Sequence, residues 1–205
     1  MKKWVSAFVC CSILMGLLSH GAIADAEHNH EIDDPEDDIL LLGLFGAGPL
    51  MNRLFSYIDI VSGGFYEYPD EPDLLYATMT LKEYRPGVLM VAYGIFWYHD
   101  DISYGANAIM IHGEDYMAGL QIQETMFTPV DNFYTINKET HTITFAIPKS
   151  LAGTLEPGDT LLRPFAVGAV RFVSDILAQL FDRLIGTNIL AADLTLEGKD
   201  YTIQY

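Results

Sequence analysis

The stretch Ser62 to Tyr76, "SGGFYEYPDEPDLLY", places four carboxylates and two prolines between aromatic and aliphatic runs. Carboxylates so close together could hold a hard cation, since Ca²⁺ takes about six to eight oxygens from carboxylates and carbonyls. Asp70, Glu71 and Asp73 are the metal candidates, with Asp59 or Asp101 supplied from elsewhere. No D-x-D-x-D-G loop is present, however. Pro69 and Pro72 fix φ and withdraw two N–H donors, which is what a stiff surface turn uses. A turn is the favoured reading, and Ca²⁺ is the cofactor it leaves open. Glu71 and Asp73 could serve glycoside hydrolysis only if one carboxyl were desolvated and their separation set, and the sequence supplies neither condition.

A second constellation is Trp97-Tyr98-His99-Asp100-Asp101, where a dense aromatic run meets polar residues. Side chains alternate along a strand, so Trp97 and His99 share one face while Tyr98 and Asp100 share the other. A ring at a strand end beside carboxylates offers an apolar platform and acceptors for hydroxyls, the two things a sugar ring needs. Trp97, Tyr98, His99, Asp100 and Asp101, with Tyr104 and Tyr116 on neighbouring segments, are the candidate ligand-binding residues. The competing reading makes Trp97 core.

Nucleophilic chemistry finds no support. There is no G-x-S-x-G elbow, and His99, His112 and His141 are scattered, with His141 on the threonine face of a strand and expected to face solvent. No catalytic residue is assigned. His28 and His30 with Glu27, Asp33 and Asp34 could capture a transition metal, but a flexible segment offers them little preorganisation.

The elements that must position these groups begin after an address. Lys2 and Lys3, an apolar run from Val5 to Leu18 and small residues at Ala22, Ala24 and Ala26 read as a signal peptide over residues 1–24. Cys10 and Cys11 lie inside that run without a lipoprotein pattern, so the exported part is expected to have no cysteine, no disulfide and no lipid anchor. An acidic flexible leader is expected over residues 25–38, and one β-sandwich domain over 39–205. The remaining chain of about 180 residues is one domain's worth. "ILLLGLFGAGPLM", from Ile39 to Met51, is too short and too glycine-rich to span a membrane and is expected to be buried, or else to dock a partner.

Strand signals follow. Leu75, Ala77, Met79 and Leu81 share one face and Thr78, Thr80 and Lys82 the other; Val88 to Tyr98 is apolar on both faces; Ala106 to His112 and Tyr116 to Gln123 form a hairpin. Asn132 to Ile147 is a second hairpin with Ile143, Phe145 and Ile147 inward, and strands are expected over Thr160 to Val173 and Asp200 to Tyr205. One helix is expected from Ser174 to Ile185, capped by Ser174 and closed by Gly186. The fold class predicted is mainly β, an antiparallel β-sandwich of jelly-roll or immunoglobulin type with one C-terminal helical insertion.

In "DIVSGGFYEYPDEPDLLYATMTL", "AYGIFWY" and "ITFAIPKSLAGTLEPGDTL", the layout from Tyr57 to Val173 resembles the DOMON and family-9 carbohydrate-binding-module type of extracellular β-sandwich. The resemblance implies a secreted, non-catalytic module that binds sugar or, in some branches, haem through Met and His. Met110, His112 and Met117 are of the right kind, but no spacing selects them, so haem is disfavoured and no cofactor is expected. With 28 Asp+Glu against 11 Lys+Arg, the chain is a poor ligand for nucleic acid or anionic lipid. The expected function is a secreted or cell-surface binding module, with a glycan as first-choice ligand. The rivals are an interaction or adhesion module for another extracellular protein, and a secreted hydrolase.

Overall fold

A computed structural model describes residues 31–34, 39, 53–85, 89–123, 126–171, 189–195 and 198–205. The expected signal peptide, the expected leader apart from residues 31–34, the apolar run beyond Ile39 and the helix expected at Ser174 to Ile185 lie outside these residues.

The chain forms β1 (Glu31–Asp33), β2 (Ile60–Tyr66), β3 (Leu74–Leu81), β4 (Met90–His99), β5 (Ile102–Ile111), β6 (Glu114–Ile122), β7 (Met126–Pro129), β8 (Tyr134–Asn137), β9 (Thr142–Pro148), β10 (Thr160–Arg171), β11 (Ile189–Leu194) and β12 (Tyr201–Thr202). They assemble into two antiparallel sheets, one ordered β1-β2-β3-β9-β8 and the other β11-β10-β4-β5-β6-β7, with β12 paired to β10. This is the predicted antiparallel sandwich. Among the described residues no helix is long and apolar enough to cross a membrane.

Alternation explains the layers. In β3 and β9 the inward residues are cross-strand partners, Leu75 with Ile147, Ala77 with Phe145 and Met79 with Ile143, and all are buried. The opposing sheet contributes Val91, Tyr93, Ile95 and Trp97 from β4 and Tyr104, Ala106, Ala108 and Met110 from β5 to the same core. Hairpins close where the turn chemistry allows. Asp100 and Asp101, both at positive φ, turn β4 into β5, and His112 and Gly113 do so between β5 and β6. Two central residues with φ > 0 suit the right-handed twist of the flanking strands.

The acidic leader requires a correction. Glu31 to Asp33 pairs with Ser62 to Gly64 as an edge strand, and Ile32 is fully buried. Ile32 is the one aliphatic side chain in a charged run, so no periodicity announces the strand. A Cβ on Gly198 would lie 2.7 Å from Ile32 Cγ1, so a glycine there leaves room for the side chain. β7 and β11 were likewise not expected.

Polar side chains join the layers. Asp193 on β11 accepts the Ile60 amide of β2 at 2.6 Å, and Thr195 Oγ1 accepts the Ala166 amide at 2.8 Å. At the opposite end, Glu67 follows β2 and Lys149 follows β9, each continuing the inward parity of its strand. Lys149 Nζ lies 2.5 Å from Glu67 Oε1, and Glu67 Oε2 accepts from the Tyr201 hydroxyl at 3.0 Å and the Gln204 amide at 2.7 Å. The Lys149 contact is an ion pair rather than an aligned hydrogen bond, since Oε1 has no hydrogen-bond partner. Lys149 Nζ also donates to the Tyr205 carbonyl.

Candidate functional site

The strand-end constellation is dispersed by the fold. Trp97 is 0% exposed, stacked parallel on Tyr104 at 5.9 Å and edge-on to Phe65 at 5.5 Å. It is core, and as an exposed sugar platform it is overturned: parity had placed Trp97 and His99 together, but their shared face points into the sandwich. Tyr104 and His99 are buried with it. His99 Nδ1 is 3.4 Å from the Thr160 carbonyl, while Nε2 lies 3.7 Å from Asp100 and 3.8 Å from Asp159. Tyr98 faces the other way, half-buried, with the Arg163 guanidinium 5.9 Å from its ring centre. Asp100 and Asp101 are the exposed turn. Tyr116 is exposed on β6, six residues from the Ile122 that pairs with Tyr104, hence ~20 Å away along the strand. Met110 faces the core, Met117 is half-buried and His112 sits in an exposed turn. His141 is half-buried, its Nδ1 3.2 Å from the Lys82 carbonyl, rather than freely solvent-facing.

The acidic bend resolves into two consecutive β-turns. The Glu71 amide donates to the Tyr68 carbonyl at 3.1 Å and the Leu74 amide to the Glu71 carbonyl at 3.0 Å, which puts Pro69 and Pro72 each at the second position of a turn, where a φ near −65° is wanted. Asp70 and Asp73 are exposed, and the Glu71 carboxylate accepts from the Tyr76 hydroxyl. Among the described residues no three His, Cys, Asp or Glu side chains are grouped to hold a metal ion.

What the bend does assemble is aromatic. Glu67 is drawn inward by Lys149, so its neighbours Tyr66 and Tyr68 must face outward. Tyr66 pairs across the ladder with Tyr76, and their rings stack at 5.2 Å with planes 8° apart. Tyr68 stands edge-on to both, at 5.4 Å and 5.3 Å, and is 48% exposed. Rings this close touch one another, so the group is a platform and not a cage with room inside for a quaternary ammonium.

The register extends the platform into a grid on the outer face of the five-stranded sheet. The first row is Tyr66, Tyr76 and Ala146; the second is Gly64, Thr78, Thr144 and Thr135; the third is Ser62, Thr80, Thr142 and Asn137. On β2, β3, β9 and β8 every side chain in these rows is half-buried or exposed and none is charged; at the β1 edge the register carries the second row to Glu31 and the third to exposed Asp33. Thr78 and Thr144 hydroxyls lie 3.4 Å apart, and the Tyr66 hydroxyl interacts with Thr144 and Tyr68. Threonine alone is what a solvent-facing strand uses. Three clustered tyrosines at one end of four strands whose outward side chains carry no charge, in a chain of net charge −17, are not explained that way.

Electrostatics bind the platform to the bend. The Tyr76 hydroxyl is pushed up to about 12, chiefly by the hydrogen bond it donates to Glu71, then by burial and by the Glu71 charge. Because the folded value exceeds the ordinary one of about 10, this hydroxyl's contribution to stability is intact below pH 10 and is lost as pH rises from about 10 to about 12. The tyrosinate absorbance of wild-type protein minus that of Tyr76→Phe is expected to show a transition near pH 12 that Glu71→Gln moves down toward 10. A wild-type transition already at 10 would contradict the Tyr76–Glu71 bond.

No family model, no curated protein and no solved structure matches the chain.

Proposed function

We propose that this chain is an exported, non-catalytic module that binds carbohydrate on the tyrosine and threonine face of its five-stranded sheet. One observation carries the reading: three mutually packed tyrosines on the outer face, Tyr68 exposed and Tyr66 and Tyr76 half-buried, open onto an array of threonine hydroxyls. A pyranose has an apolar face of C–H groups and a rim of hydroxyls. The first packs on a tyrosine ring; the second finds the Glu71 carboxylate and the Thr78 and Thr144 hydroxyls as acceptors and donors. The rings sit on paired strands and a proline-stiffened bend, so little side-chain entropy remains to be lost on binding. Export rests on the basic and apolar N-terminus.

Affinity electrophoresis through gels holding β-glucan, xylan or galactomannan tests the reading. At least one polymer is expected to retard the wild-type protein. Tyr68→Ala or Tyr76→Ala is expected to weaken that binding about tenfold, the loss of a central aromatic contact of roughly 1.4 kcal/mol, while Tyr116→Ala leaves it unchanged. Unretarded migration in every gel would refute the proposal.

A further inference from the structure

Resting on the carbohydrate reading, we infer that the ligand is an internal segment of an extended, uncharged polysaccharide, laid across the strands rather than entering by a chain end. The grid is open: Tyr66, Tyr76 and Ala146 form a continuous cross-strand row, and the two hydroxyl rows continue from β2 to β8. Four strands span ~14 Å and successive rows are ~7 Å apart, a surface several sugar rings long. Ala146 beside Tyr76 lowers the floor where a second ring would lie next to the stacked tyrosines. A chain end would need a walled pocket to enclose it, and these rows carry no side chain larger than threonine or asparagine beyond the tyrosines.

Charge selects within this class. Asp70, Glu71 and Asp73 border the tyrosine end, and no Lys or Arg occupies any of the three rows. Lys82 lies beyond the third row with its Nζ 3.7 Å from buried Asp59, and Lys138 is accompanied by Glu139 in the turn after Asn137. A uronate polymer would meet carboxylates beside the tyrosines and Asp33 at the β1 edge, and no cation within the rows. Like charges left unpaired discriminate against a ligand more sharply than a missing contact does.

Calorimetric titration with neutral oligosaccharides of rising length, cut from the polymer that binds best, separates the alternatives. The same titration is run with that polymer after borohydride reduction of its ends and with polygalacturonate. Affinity is expected to climb at least about tenfold from disaccharide to the longest oligomer, to survive end reduction, and to be at least about tenfold weaker for polygalacturonate at low salt. Thr80→Ala with Thr135→Ala, two row positions on β3 and β8 outside the turns, should weaken the long oligomer and leave the disaccharide untouched. Full affinity already at the monosaccharide, loss on end reduction, or equal binding of polygalacturonate would overturn this inference while leaving carbohydrate binding standing. Silence from every neutral sugar would instead remove the reading on which it rests.

Discussion

Trp97→Ala is expected to destabilise the protein by about 3–5 kcal/mol without acting on ligand affinity, because it empties the largest fully buried side chain of the core. The ring bridges the layers, contacting Phe65 of the five-stranded sheet and Tyr104 of the seven-stranded one. Its removal takes a ring contact from Tyr104 and from Phe65, which keeps Tyr201 at 5.8 Å. In a domain of this size the melting temperature should fall by roughly 10 °C. Trp97→Phe keeps most of the volume and also removes the indole N–H, which is buried without a hydrogen-bond partner, so it should recover most of the loss. A Trp97→Ala protein that melted like wild type but no longer bound glycan would return the site to the β4 strand end.

Breaking the Glu67–Lys149 pair is expected to cost as much. The side chains are 1% and 6% exposed, and either one alone would be a buried charge without its counter-charge, keeping only neutral partners (Tyr201 and Gln204 for Glu67, the Tyr205 carbonyl for Lys149), a loss of about 3–5 kcal/mol for Glu67→Ala or Lys149→Ala. Glu67→Leu combined with Lys149→Met should be milder than the sum of the single changes, since it removes both desolvation penalties together. This pair also sets the parity of the bend: with Glu67 held inward, Tyr66 and Tyr68 are held outward. Single variants should therefore loosen the tyrosine platform as well as the fold, seen as a weaker Tyr66 and Tyr68 near-ultraviolet dichroism before melting. Denaturant midpoints within error of wild type would show that the pair is not buried in solution.

How much of this could be read beforehand depended on whether the signal was local. Strands β3 and β9 announce themselves because Leu75 to Leu81 and Ile143 to Ile147 alternate strictly, and those residues do line the core. β4 is apolar on both faces, so its sequence says that Trp97 and His99 share a side but not which side is inside; pairing with β5 and β10 decides that. β1 rests on Ile32 alone and had no pattern to find. The tyrosine platform was half legible: Tyr66 and Tyr68 are two apart, and Tyr76 shares the parity of Thr78 and Thr80, already read as outward. What a sequence does not contain is the register that brings Tyr66 opposite Tyr76 and Thr78 opposite Thr144. The ion pair joining Glu67 to Lys149, 82 positions later, was invisible for the same reason.

The central claim is that the outer face of β2, β3 and β9, and not the end of β4, meets the ligand. Amide shift mapping of ¹⁵N-labelled protein, titrated with the neutral glycan that retards it best, tests this directly. The account predicts perturbations concentrated at Ser62 to Tyr68, Leu74 to Thr80 and Thr142 to Ala146. Perturbations centred on Trp97 to Asp101, or no perturbation by any neutral glycan, would contradict it.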